Sequence, residues 1–137
     1  MREAAAGGAR VLTGGTRHGA AFEPTVLVDV APEMKVVCDE VFGPVVSVLR
    51  FSDLDGVIER VNASRFGLHC GVFTRSLEVA LRCARMIRAG GVIINGTSTW
   101  RTDQLAYGGV KESGVGRQGP RYSIRDMTEE RLVVFNL

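Results

Sequence analysis

Polar and apolar residues along the chain change period several times, and each change predicts an element. RVLTGG, residues 10–15, reads as a short strand closed by glycines. FEPTVLVDV, residues 22–30, alternates well enough for a second strand, with Pro24 at its entrance where no ladder donor is lost. Before them lies an Ala/Gly-rich start that suggests a frayed helix end. Between Glu33 and Phe42 a short helical turn is expected, stopped by Gly43-Pro44, and VVSVLRF, residues 45–51, is a β-branched strand. Leu54, Val57, Ile58 and Val61 then repeat at helical spacing behind a cap at Ser52 or Asp53, with Gly67 as the stop. LHCGVFT, residues 68–74, is a short strand. Ser76 caps a second helix whose stripe is Leu77, Ala80, Leu81, Ala84 and Ile87, and GVIIN, residues 91–95, is the next strand. Strand, helix, strand, helix, strand at this pitch predicts an α/β fold, a mostly parallel sheet with crossover helices.

Past Asn95 the pattern dissolves. Residues 96–119 are glycine-rich and polar, a long irregular stretch of the kind that carries function inside a compact domain. A short helix from Pro120 to Met127 and a terminal strand, ERLVVFNL, follow. That strand has no following partner in sequence, so it is expected to pair with an earlier strand or with another chain.

A chain of 137 residues fits one domain, and 45% hydrophobic with 23% charged residues describes a globular one. Seventeen basic against fifteen acidic side chains, interspersed, make nucleic acid a poor partner. Arg82, Arg85 and Arg88 share a helix face that reads as solvated. No apolar run approaches the roughly 20 residues of a membrane span, and the N-terminus lacks a secretory core, so a cytoplasmic location without a membrane partner is expected. Cys38, Cys70 and Cys83 form neither a CxxC pair nor an even framework, which suits a reducing compartment. His18 and His69 stand apart, so no metal site is expected.

Three local signals compete for chemistry. GVGRQG, residues 114–119, fits G-x-G-x-x-G, but no buried strand leads directly into it and no acidic strand end follows, so it reads as a mobile or packed glycine loop, with an anion contact at Arg117 as the weaker alternative. Cys38 sits beside Asp39 and Glu40, whose charge disfavours a thiolate. Cys70 and Cys83 read as packing residues. Glu40 precedes the Gly43-Pro44 break at a sheet rim, where a carboxylate can accept two hydroxyl hydrogen bonds from a ribose diol. Taken alone it is equally an ordinary solvated acid.

PEMKVVCDEVFGPVVSVLRF, VNASRFGLHCGVFTRSLEVALRCARMIRAGGVIIN, YGGVKESGVGR and MTEERLVVF follow one another in an order that resembles the C-terminal part of the NAD(P)-dependent aldehyde dehydrogenase superfamily. The resemblance runs from about Val11 onward. It implies that Glu40 accepts hydrogen bonds from the nicotinamide ribose, that Phe42 packs near the nicotinamide ring, and that the cofactor is NAD or NADP. It further implies that Asn95, Trp100, Arg101 and Tyr107 belong to the aldehyde entrance. The family usually has P-F-G-G where this chain has Ala106-Tyr107-Gly108-Gly109. Trp100 and Arg101 suggest an aldehyde with a polar or anionic tail, against a surface-arginine alternative.

In that family a cysteine thiolate attacks the aldehyde, hydride passes to the nicotinamide, and activated water releases the acid. The thiol, the general base and the main dinucleotide fold match nothing in these residues, so the chain is expected to be a segment that is inactive alone. Residues 1–128 correspond to catalytic domain and 129–137 to a strand for homo-oligomerisation. The alternative is a non-enzymatic module that acts by association.

Overall fold

A computed structural model describes all 137 residues, which divide into two compact units, Met1–Leu54 and Asp55–Leu137. The first unit contains helix α1 (Arg2–Ala6), strands β1 (Arg10–Thr13), β2 (Arg17–His18), β3 (Ala21–Phe22) and β4 (Thr25–Val28), helix α2 (Lys35–Cys38) and strand β5 (Val45–Ser47). Strand β4 is central. It pairs antiparallel with β1, Arg10 opposite Val28, and parallel with β5, Thr25 opposite Val45. Alternation along β4 turns Thr25 and Leu27 inward, and Leu27, 0% exposed, meets Ala4, Ala9 and Val30 with Met34 and Val36 packed around them.

Thr25 is the buried polar residue of this core. Its hydroxyl donates to the Glu23 carbonyl at 2.7 Å and accepts the Gly15 N–H at 2.8 Å, so burial leaves no polar group unpaired. Gly14 makes that approach possible: its φ is +72°, and a Cβ there would run into the Pro24 carbonyl.

The second unit contains α3 (Leu54–Ala63) from its second residue onward, β6 (His69–Val72), α4 (Leu77–Met86), β7 (Gly91–Ile94), a 3₁₀ turn (Lys111–Ser113) and α5 (Pro120–Asp126). Strands β6 and β7 pair in parallel, His69 opposite Gly91, with α4 in the connection between them. The Ser76 hydroxyl accepts the Val79 N–H and caps α4, while Ala80, Cys83 and Ile87 turn inward and Ile58 does so on α3. Asn62 joins the two helix ends, its side-chain NH₂ donating to the Met86 carbonyl at 2.8 Å and its oxygen accepting the Arg88 N–H at 2.7 Å. Arg82 leaves the expected basic face to hold Asp55.

The architecture is mixed α/β, and it departs from the sequence reading in its sheet organisation and in the length of the strand at Val45. The strands form three small sheets, and two of the four ladders are antiparallel. The antiparallel pairs come from β1 and from a β2–β3 hairpin turning at Gly19, φ +62°, whose two-residue strands are too short to register as a period. The strand at Val45 keeps only three residues before the backbone leaves the ladder. The C-terminal residues form no ladder with any strand of the chain, and Leu132 and Phe135 are 88% and 80% exposed. No helix is long and apolar enough to cross a membrane.

Leu27 carries the first core, so Leu27→Ala is expected to cost about 3 kcal/mol in denaturant unfolding, in the range for a fully buried leucine. A loss under about 1 kcal/mol would mean that this core does not hold the unit together.

Candidate functional site

In the first unit the stretch from α2 to β5 is irregular yet closely tied. The Gly43 N–H donates to the Val41 carbonyl at 2.9 Å, the Val45 N–H to Gly43 at 2.8 Å, and the Thr25 N–H to Pro44 at 2.8 Å. The Ser47 hydroxyl anchors α2 through the Val36 carbonyl. With the backbone fixed, Glu40 and Phe42 project outward. Glu40 is exposed and makes no ion pair within the chain, and the Phe42 ring is 92% exposed. A carboxylate with both oxygens free, two residues from an uncovered aromatic ring, offers acceptors that suit a hydroxyl pair and a flat face that suits a heterocycle.

Cys38, just before them, is turned to its own helix. Its thiol donates toward the Met34 and Glu33 carbonyls, an arrangement that suits S–H and not a thiolate. Burial pushes the Cys70 thiol up, and the nearby Cys83 adds to the effect, so the Cys70 sulfur is not poised for attack.

In the second unit a cavity of about 170 Å³ opens beside β7 and is walled by His69, Val92, Trp100, Arg101, Leu105 and Tyr107. Tyr107 organises it. The Arg101 guanidinium lies over its ring, 4.4 Å from the centroid, and His69 meets the ring edge to face at 5.0 Å and 76°. Arg101 Nε is 4.0 Å from Asp103, an exposed and loose pair. Of the residues singled out from sequence, Trp100, Arg101 and Tyr107 share this cavity. Asn95 stands outside its walls: at φ +55° its side-chain oxygen accepts the Thr74 N–H at 2.9 Å and closes the loop after β6.

Two residues that sequence reasoning did not single out hold the loop behind Tyr107. Lys111, at φ +57°, points its ammonium into the C-terminal end of α3, donating to the carbonyls of Asn62 at 2.9 Å and Ser64 at 2.8 Å. These are acceptors that a helix end leaves unpaired, and a cation there also suits the negative end of the helix dipole. Ser113 accepts the Gly67 N–H, Gly67 accepts the Val110 N–H, and Arg65 pairs with Glu112 at 2.7 Å. The glycine loop that follows is closed by Arg117, whose guanidinium donates to the carbonyls of Gly109 and Gly116, so that side chain serves the loop.

Lys111→Met keeps the aliphatic stem and removes the ammonium. Amide exchange at Val110 and Glu112 is then expected to accelerate about tenfold, the effect of losing roughly 1.4 kcal/mol of local stability. Unchanged exchange would mean that the backbone bonds alone hold the loop.

Comparison with known proteins agrees with this geometry. The family model described as the aldehyde dehydrogenase family matches residues 1–133. The 3-sulfolactaldehyde dehydrogenase of Priestia megaterium is 47% identical over 137 residues, all of this chain but 29% of that enzyme. The crystal structure of aldehyde dehydrogenase 21 from Physcomitrella patens, in complex with the reaction product succinate, superposes with a TM-score of 0.89 at 41% identity, covering 93% of this chain and 27% of that one. Glyceraldehyde-3-phosphate dehydrogenase from Methanocaldococcus jannaschii, complexed with NADP, gives a TM-score of 0.86 at 35% identity, covering 92% of this chain and 27% of that one. The chain therefore spans under a third of the length of these relatives. Fold, sequence and family model coincide over nearly every residue, and the chain belongs to the aldehyde dehydrogenase family.

Proposed function

We propose that this chain is the C-terminal segment of an NAD(P)-dependent aldehyde dehydrogenase, in which it positions the nicotinamide ribose and walls the aldehyde entrance. The observation that carries the reading is the pair Glu40 and Phe42, both held outward by a pinned backbone and both without a partner in the chain. The two oxygens of Glu40 accept the ribose hydroxyls and Phe42 covers one face of the ring. When bound, the cofactor supplies the hydride acceptor. The role of Glu40 is to fix where that acceptor lies, since an error well under an ångström in such a placement lowers rate without touching the nucleophile.

On the aldehyde side, Trp100 and Tyr107 provide apolar walls and Arg101 a cation for an anionic tail, with Asn95 shaping the turn that leads into this loop. The names of the relatives support a charged substrate, since one acts on 3-sulfolactaldehyde and another binds its product succinate. The three free cysteines are consistent with a reducing, cytoplasmic setting. Residues 129–137 are assigned to subunit association, because an exposed apolar run of this kind is covered by pairing with a strand of a second copy.

Incubated alone with NAD(P)⁺ and small aldehydes, the chain is expected to give no NAD(P)H absorbance, and sustained turnover would overturn that part of the proposal. Joined to Priestia megaterium 3-sulfolactaldehyde dehydrogenase in place of that enzyme's own C-terminal portion, it is expected to restore aldehyde oxidation. Glu40→Gln in this chimera is then expected to lower kcat about 10- to 100-fold. Equal kcat in the two chimeras would remove Glu40 from the hydride step.

Association is tested separately by light scattering. Deleting Glu130 through Leu137 is expected to convert an oligomer to monomer, and an oligomer that survives the deletion would place the contact elsewhere.

A further inference from the structure

The cavity beside β7 contains a second polar group whose role the aldehyde-entrance reading does not cover. His69 lies at the start of β6, and three contacts fix its ring. Nδ1 is 3.0 Å from the Ser98 carbonyl, which can only accept, so Nδ1 carries the proton. The ring meets Tyr107 edge to face, and it packs so closely on Gly91 that a Cβ there would lie 2.8 Å from Nε2. Neutral imidazole protonated at Nδ1 has a lone pair at Nε2, and this atom has no partner within the chain. The result is a hydrogen-bond acceptor of fixed orientation in the wall of a small cavity that also contains a guanidinium.

The spacing of these groups restricts what fits. Both groups rest on Tyr107, Arg101 4.4 Å and His69 5.0 Å from its ring centroid. A cavity of about 170 Å³ that both groups line admits only a small ligand. Arg101 offers a planar fork for a carboxylate, sulfonate or phosphate. His69 Nε2 requires a donor, and on a short aldehyde the donor is a hydroxyl. Resting on the family function given above, we propose that His69 is a specificity-determining residue. Together with Arg101 it selects a short aldehyde that bears a hydroxyl between its carbonyl and an anionic end, over the same aldehyde without the hydroxyl.

Malate and succinate test this, because they differ by one hydroxyl and contain no reactive carbonyl. Binding to the 137-residue chain is followed by Trp100 fluorescence and by backbone amide shifts at residues 91–107. One enantiomer of malate is expected to bind about five- to tenfold more tightly than succinate, as one additional hydrogen bond implies. His69→Phe is expected to abolish that preference. His69→Gln, which keeps an acceptor, is expected to retain part of it, and Arg101→Met to weaken both acids alike. Equal binding of the two acids by the unmodified chain, a preference that survives His69→Phe, or binding indifferent to Arg101→Met would each overturn the proposal, as would failure of either acid to bind. Neither probe involves cofactor or turnover, so a negative result here leaves the role of Glu40 standing, and loss of the Glu40 effect in the chimera leaves this site standing.

Discussion

The last carbonyls of α3 have no helical N–H to accept, and an ammonium delivered from nearly fifty residues further along the chain meets them. The same constraint recurs throughout the regions with functional side chains. Residues 38–44 and 95–119 lack regular ladders, so their peptide groups must find partners one at a time. Lys111 and Ser113 anchor one loop to the end of α3, Asn95 closes another on Thr74, Arg117 closes the glycine turn, and Thr25 holds the crossing at Gly15. Irregular backbone becomes a rigid support by these means, and a side chain carried on it acquires a fixed direction.

A fixed direction explains the contrast between the two kinds of polar residue in the chain. Asn62, Ser113 and Arg117 are spent on backbone atoms and have little left for a ligand. Glu40 and His69 Nε2 retain unused acceptors, and Phe42 retains both faces of its ring. Supporting residues are saturated, whereas residues free to meet another molecule sit on backbone that is itself saturated. Cys38 belongs with the first group despite its exposure, because its S–H is engaged with the carbonyls of its own helix.

Much of this was legible in the sequence, and the exceptions have a common cause. The stripes of α3 and α4, the Ser76 cap and the strands around Leu27, Cys70 and Val92 follow from local period and local chemistry. The β2–β3 hairpin was not readable, since two residues per strand contain no alternation. Leu49 to Phe51 have strand propensity but gain no ladder beyond the last bond, from the Val48 N–H to the Leu27 carbonyl, as propensity describes a fit to a pleated surface and cannot supply a neighbour. The reading of Glu40 as more than a solvated acid rests on the family resemblance, whereas Trp100, Arg101 and Tyr107 converge on one cavity in the folded unit. Lys111 and His69 escaped because their partners are remote in sequence: the carbonyl ends of α3 in one case, Ser98 and Tyr107 in the other.

On the proposed function, this segment contributes to aldehyde oxidation by fixing the hydride acceptor through Glu40. The most direct measurement is the kinetic isotope effect on kcat with an aldehyde deuterated at its carbonyl carbon, in the reconstituted enzyme. If Glu40 serves the hydride step, Glu40→Asp, which withdraws the carboxylate by one methylene, makes that step limiting and raises the isotope effect above that of the unmodified enzyme. A slower variant with an unchanged isotope effect would contradict the account, since the carboxylate would then act on some other step.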